Sequence, residues 1–268
     1  MPYIYGFLLS FIVSLFAFKK GSLTLSGMIA SILLGTLLFG FQSVTIYMSL
    51  VGFFISSSFL SKISKFIGGK ESELIEKRLE KSGKRDYTQV IANGGVALVC
   101  AVLFQMTNVT LFKLGAVIAI AAANADTWAS EIGVLSKDTP IYILSKTQVV
   151  KGLSGGVTKL GFMASFAGAL FIAFIYTFFS VGTMPFHILI LHLALIAFFG
   201  FLGSMIDSIL GEVFQAKYTI PQSNELTEKS NELGQKPVSG LKIVTNNVVN
   251  FFSSLISAGL GMLILSLM

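Results

Sequence analysis

Charge is scarce in this chain: Asp, Glu, Lys and Arg make up 12% of its 268 residues, against roughly 25% in soluble domains. That scarcity, beside 54% hydrophobic residues and a mean hydropathy of +0.81, excludes an ordinary water-soluble domain. The single cysteine, Cys100, excludes an intrachain disulfide and any CxxC metal or redox motif. The two histidines, His187 and His192, have no acidic neighbours in sequence and read as packing or interfacial residues. A net charge of +6 raises the question of nucleic acid. No basic stripe with interleaved aromatics occurs outside the apolar runs, so nucleic acid is not an expected partner.

What is abundant is long apolar sequence. A helix crossing a bilayer core of roughly 30 Å needs about 17 to 25 apolar residues, since each adds about 1.5 Å. Runs of that kind occupy Pro2–Phe18, Gly21–Gly40, Val44–Leu60, Val90–Met106, Val109–Ala125, Leu160–Val181, Phe186–Ile206 and Val248–Met268. The second, fourth and fifth are rich in Gly or Ala, and a partly re-entrant course for one of them would change the count by one. The expected fold class is all-α: a polytopic transmembrane helical bundle of about eight spans, seven to nine, with its N-terminus outside. Lys and Arg are retained in cytoplasmic loops, and with this orientation every basic residue but Lys113 falls on the inner side, as does every acid. The first run has neither a basic stretch before it nor an A-x-A site after it, so it reads as a retained span. Residues 1–268 form one expected membrane domain, with cytoplasmic loops 61–89, 126–159 and 207–247 too short for cores of their own. In the first loop, Glu73 to Lys77 and Glu80 to Lys84 are i,i+4 pairs that favour a short amphipathic surface helix.

Three segments can carry chemistry. In Asn124-Ala125-Asp126-Thr127-Trp128-Ala129-Ser130-Glu131 a continuing helix places Asn124, Thr127 and Glu131 on one face. Acids at membrane depth are costly, which favours a functional role over a simple helix end with Trp128 as an interfacial anchor. Lys151-Gly152-Leu153-Ser154-Gly155-Gly156 precedes the sixth run, and a Gly-rich turn before a helix N-terminus suits phosphate, although the spacing is not that of a Walker A loop. Gly203, Asp207 and Gly211 form a small-acid-small stripe, with Ser208 beside Asp207. Two polar clusters complete the face, one around Arg85, Gln89 and Asn93 and one around Asn246 and Asn250. Interhelical hydrogen bonding is the alternative use of each cluster.

On Arg85-Asp86 with Gln89-Val90-Ile91-Ala92-Asn93-Gly94, on Asn124 to Gly133, on Gly155-Gly156-Val157 and on Asp207-Ser208 with Gly211, the chain resembles the integral-membrane family known as domain of unknown function ninety-two. That family includes the plant phytyl-phosphate kinases, and the resemblance covers nearly the whole chain. Asn246-Asn247 departs from it, standing where the family usually has Asn-Asp. The resemblance implies an isoprenoid (phytyl or polyprenyl) monophosphate kinase using a nucleoside triphosphate. A looser similarity to polyprenol kinases implies CTP as one donor. Carried onto this sequence, Asp126, Asp207 and Glu131 are the catalytic and Mg²⁺-binding candidates, and Lys151 the catalytic lysine. Arg85, Asn93, Asn124, Thr127, Ser154, Gly155, Gly156, Ser208, Asn246 and Asn250 are the substrate-binding candidates. The expected partners are the lipid bilayer, an isoprenoid phosphate and a nucleotide, and nothing in the sequence opposes a homo-oligomer. The expected location is a bacterial cell membrane, charged face toward the cytoplasm. The competing function is a transporter or lipid-handling protein without catalysis, and a membrane scaffold is a third.

Overall fold

The computed structural model describes residues 1–41, 43–78, 83–220, 226–230 and 235–268, with backbone only at 70–74 and 76–78. Its elements are α1 (Pro2–Lys19), α2 (Leu25–Gly40), α3 (Val44–Arg78), α4 (Tyr87–Thr107), α5 (Thr110–Gly133), α6 (Lys159–Phe178), α7 (Phe186–Val213) and α8 (Asn246–Ser266). Two short antiparallel ribbons lie in the connections. Ile141–Tyr142 (β1) pairs with Gly156–Val157 (β2), and Tyr218–Thr219 (β3) with Leu226–Thr227 (β4). This is an all-helical polytopic membrane protein.

Among the described residues, seven helices are long and apolar enough to cross a membrane. The exception is α2, whose 16 residues reach only about 24 Å. It packs on α1 and α4. Large apolar side chains such as Ile12, Phe16 and Met163 point outward, as a lipid-facing surface requires. The long α3 runs on past its apolar part and breaks at Gly69, whose φ of 49° and ψ of −129° are not helical. Residues 61–78, expected in a loop, are therefore mostly a helical extension. The pairs Glu73–Lys77 and Glu80–Lys84 lie outside the described side chains.

At the centre stands α5, with every residue from Leu114 to Ala125 buried. Alanine makes this packing close. A Cβ added at Gly200 of α7 would meet the Ala121 Cβ at 2.6 Å, and one at Gly203 would meet the Ala122 Cβ at 2.4 Å. Without a hydrophobic drive between helices in lipid, such close contact is what holds the bundle together.

The helix starts differ between the two ends. Helices α2, α4, α6 and α8 begin on the charged side, and each has a side-chain cap. Thr24 accepts from the Gly27 N–H, Asp86 from Gln89, Thr158 from Gly161 and Thr245 from Val248. Helices α1, α5 and α7 begin on the other side, at Met1, Val109 and Pro185, without such caps. Four positive dipole ends therefore point at the charged face. The connections are tied down there as well. Arg85 N–H donates to the Ser22 carbonyl (3.0 Å) and Thr24 N–H to the Arg85 carbonyl (3.0 Å), while Leu144 and Ser145 N–H donate to Glu212 (2.9 and 2.8 Å).

Candidate functional site

Between these connections lies a cavity of about 280 Å³. The first turns of α4, α6 and α8 reach it through Gln89 and Asn93, through Gly161, and through Asn246. The last turns of α5 bring Asp126, Thr127 and Glu131, and α7 brings Asp207 and Ser208. Arg85 and the turn Ser154-Gly155-Gly156 also line it. Most of the residues singled out in the sequence thus meet in one space, although they come from five segments of chain.

Three candidates do not line it: Asn124, Lys151 and Asn250. Asn124 has no exposed surface. Its amide donates to the Gly168 carbonyl (2.7 Å) and accepts from Ser56 (3.0 Å), so it serves the packing of α5 against α6 and α3. Asn250 lies behind the cavity wall, within hydrogen-bond distance of Asn93 and Asn246. Turned to suit its surroundings, its amide donates to Asp207 Oδ2 at 3.1 Å. Trp128 packs against its neighbouring helices. Its indole N–H donates to Ser56 (3.2 Å), and its ring packs on Phe171 and against Gly168.

Asp207 and Glu131 are held by different helices. Ser253 on α8 donates to Asp207 Oδ2 at 2.9 Å, and Asp207 is only 6% exposed. Ser64 on α3 donates to Glu131 at 2.6 Å. Arg85 is cushioned by the faces of Phe53 and Phe54 and reaches Ser58 at 3.4 Å. Burial pulls its guanidinium below the usual arginine value, and nearby Glu131 opposes that pull; an arginine nonetheless stays charged.

The Gly-rich turn is built mainly for packing. Gly155 has φ +86° and lies so close to α7 that a Cβ there would meet the Glu212 nitrogen at 2.6 Å. Gly156 N–H is used within the turn, on the Leu153 carbonyl (3.1 Å). Ser154 N–H donates to the Glu228 carboxylate at 2.7 Å. Of the backbone donors that the sequence offered to phosphate, two are therefore already engaged.

Glu228, Lys62 and Lys65 line the cavity as well and were not singled out from sequence. A signal for the lysines existed: Ser58, Ser61, Lys62 and Lys65 follow the i, i+3, i+4, i+7 spacing of one helix face. Glu228 carries no such pattern. It comes from a connection, just after β4, and is nonetheless buried. Next to it, Lys217 is fully buried and caps the C-terminal carbonyls of α7 at Gly211 and Glu212. Burial lowers its ammonium pKa, with Glu228 and Glu212 pulling the other way.

The donor set suits a hard divalent cation only in part. Among the described residues no three His, Cys, Asp or Glu side chains converge into a ready metal cage, so Asp126, Glu131 and Asp207 do not jointly enclose one ion. Mg²⁺ ordinarily takes one or two carboxylates and completes its shell with water and substrate phosphates. The acids around this cavity fit that arrangement.

The model of the family "Integral membrane protein DUF92" matches residues 8–258. The chain belongs to that family. It is 31% identical to Protein PGR of Arabidopsis thaliana, over 95% of this chain and 93% of that one. It is 29% identical to an uncharacterized membrane protein of Methanocaldococcus jannaschii, over 77% of this chain and 80% of that one. With the chloroplast protein VTE6 of Arabidopsis thaliana the identity is 26%, over 73% of this chain and 57% of that one. No solved structure matches. These relatives come from a plant and an archaeon, so family membership assigns a membrane without making it a bacterial one.

Proposed function

We propose that the protein is an isoprenoid monophosphate kinase, transferring the terminal phosphoryl group of a nucleoside triphosphate, CTP among the candidates, to a phytyl or polyprenyl phosphate. The observation that carries this reading is the convergence of Arg85, Lys62 and Lys65 with Asp126, Glu131 and Asp207 in one cavity, with three helix N-termini directed into it. Cations and helix starts attract phosphates, and carboxylates beside them suit a phosphate-bound cation. The family resemblance, which includes phytyl-phosphate kinases, supports the same reading. The charged face is assigned to the cytoplasm, where nucleotides are found.

In the reaction an oxygen of the acceptor phosphate bonds to the γ-phosphorus, the bond from that phosphorus to the β–γ bridging oxygen breaks, and the nucleoside diphosphate leaves. The acceptor is already anionic, so no side chain need remove a proton, and positioning with charge neutralisation carries the catalysis. Arg85 is suited to holding the acceptor phosphate in two-point contact, and Lys62 and Lys65 to the triphosphate. Asp126 and Asp207 would hold Mg²⁺, with Glu131 reaching the ion's waters, and the ion would supply charge neutralisation on the transferred group.

The purified protein should convert geranylgeranyl or phytyl monophosphate to the diphosphate with Mg²⁺ and a labelled nucleotide. No diphosphate from any isoprenoid phosphate, together with substrate flux in proteoliposomes, would sink the kinase and favour transport.

A further inference from the structure

A second cavity, of about 70 Å³, opens among α1, α2, α3 and α4. Its wall is chiefly apolar, with Val13, Leu23, Leu34, Leu50, Val51 and Phe53 prominent. It shares Arg85, Gln89 and Asn93 with the polar cavity, so the two spaces meet at those side chains. Arg85 stands at the junction, its guanidinium over Phe53 and Phe54 on one side and near Ser58 of the polar wall on the other.

We infer that this second cavity is the slot for the isoprenoid chain of the substrate, with the phosphate on the polar side of Arg85. The inference rests on the kinase reading for the identity of the headgroup. An amphiphile needs an apolar path that begins where its phosphate is bound, and only a chain passing Arg85, Gln89 and Asn93 satisfies both cavities. Small residues let the helices approach closely along the wall of the slot. Gly35 and Gly94 line it, and added Cβ atoms would run into Ser10 (2.4 Å) and Leu34 (2.4 Å) respectively. Ser10 and Tyr47, 3.5 Å apart, also line it, beside Gly35. A space of about 70 Å³ takes the part of the chain nearest the phosphate and leaves the remainder to the lipid-facing surface. The wall at Val13 and Val51 therefore discriminates on the first carbons beyond the headgroup, between an unsaturated branched chain and a straight one.

The test is photolabelling of the full-length protein in nanodiscs, without nucleotide, using geranylgeranyl monophosphate with a diazirine on its second isoprene unit. Labels on Val13, Leu34, Leu50 or Val51, suppressed by unlabelled geranylgeranyl monophosphate and not by phosphatidylglycerol, are expected. Labels confined to α5–α8, suppression by phosphatidylglycerol to the same degree, or no labelling at all would overturn the slot. Val13→Phe and Val51→Phe should each cut slot labelling at least tenfold, and lower the ratio of geranylgeranyl to straight-chain alkyl phosphate turnover by a similar factor. Labelling in the slot by a protein that makes no diphosphate would leave the slot standing and remove the kinase. Turnover with labels elsewhere would do the reverse.

Discussion

The Ser154 N–H donates to Glu228 at 2.7 Å, joining the turn before α6 to a residue 74 positions away. The bond places an internal carboxylate against a turn that also lines the cavity. An incoming phosphate meets that negative charge at close range. Glu228→Gln keeps an acceptor for Ser154 and removes the charge, so nucleotide affinity should rise about fivefold, on the order of 1 kcal/mol. Equilibrium binding of a non-hydrolysable nucleotide checks this, and unchanged or weaker binding would count against a phosphate at this wall.

Asp207 depends on α8 for its orientation, through the 2.9 Å bond from Ser253. Asp207→Asn should lower kcat at least about 100-fold. Ser253→Ala removes one hydrogen bond to a charged acceptor, commonly about 1.5–3 kcal/mol, so it should cost about tenfold or more in kcat with KM for the lipid little changed. If Ser253→Ala shifts only the melting temperature, the bond is structural and Asp207 needs no such positioning.

Much of this site is legible in the sequence because lipid makes polar residues conspicuous. Asp207 lies near the end of a long uncharged stretch, and an acid there is too costly to be incidental. Helix periodicity put Thr127 and Glu131 on a shared face, and both line the cavity. The same periodicity included Asn124 and failed, because that residue lies one turn deeper, where α3 and α6 close over α5 and a dry amide must be satisfied by protein. Glu228 is illegible for another reason. Its place is set by the Gln215–Leu241 and Lys217–Ser239 bridges and by the β3–β4 ribbon, which have no periodic pattern. The seven long helices follow from run length alone, whereas the shortness of α2 comes from its capping Thr24 and the bridge at Leu23, which start the helix late.

Gly155 and Gly259 should respond oppositely to alanine. At Gly155 the left-handed φ of +86° and the 2.6 Å approach to Glu212 both oppose a Cβ, so Gly155→Ala should destabilise by about 1–3 kcal/mol and loosen the cavity wall. Gly259 is in the interior of α8 with nothing within 4 Å of an added Cβ, so Gly259→Ala should be neutral or stabilising by up to about 1 kcal/mol. Thermal melting of both variants in one detergent checks the pair.

Asp86 makes part of the stability pH-dependent. Burial alone would raise its carboxyl pKa, but the Thr88 hydroxyl and the N–H groups of Gln89 and Thr88 outweigh it and hold the group below its ordinary 3.8. A folded pKa below the unfolded one contributes stability that is full above the unfolded value and is lost as pH falls through the folded one. The cap on α4 should therefore weaken below about pH 4. Asp86→Asn, which can still cap, should melt with a smaller difference between pH 7 and pH 3 than the wild type.

Lys62 and Lys65 stand on the cavity wall, whereas Lys151 does not. If the wall lysines meet the triphosphate, Lys62→Gln and Lys65→Gln should each raise the nucleotide KM several-fold, with little effect on the KM for the lipid phosphate. The effect should shrink as salt rises, because ionic screening weakens a charge contact. Lys151→Gln should change the nucleotide KM by less than twofold. The reverse ranking would move the triphosphate out of the cavity and onto the outer side of the Gly-rich turn, and steady-state kinetics on the three variants at two ionic strengths distinguishes the two placements.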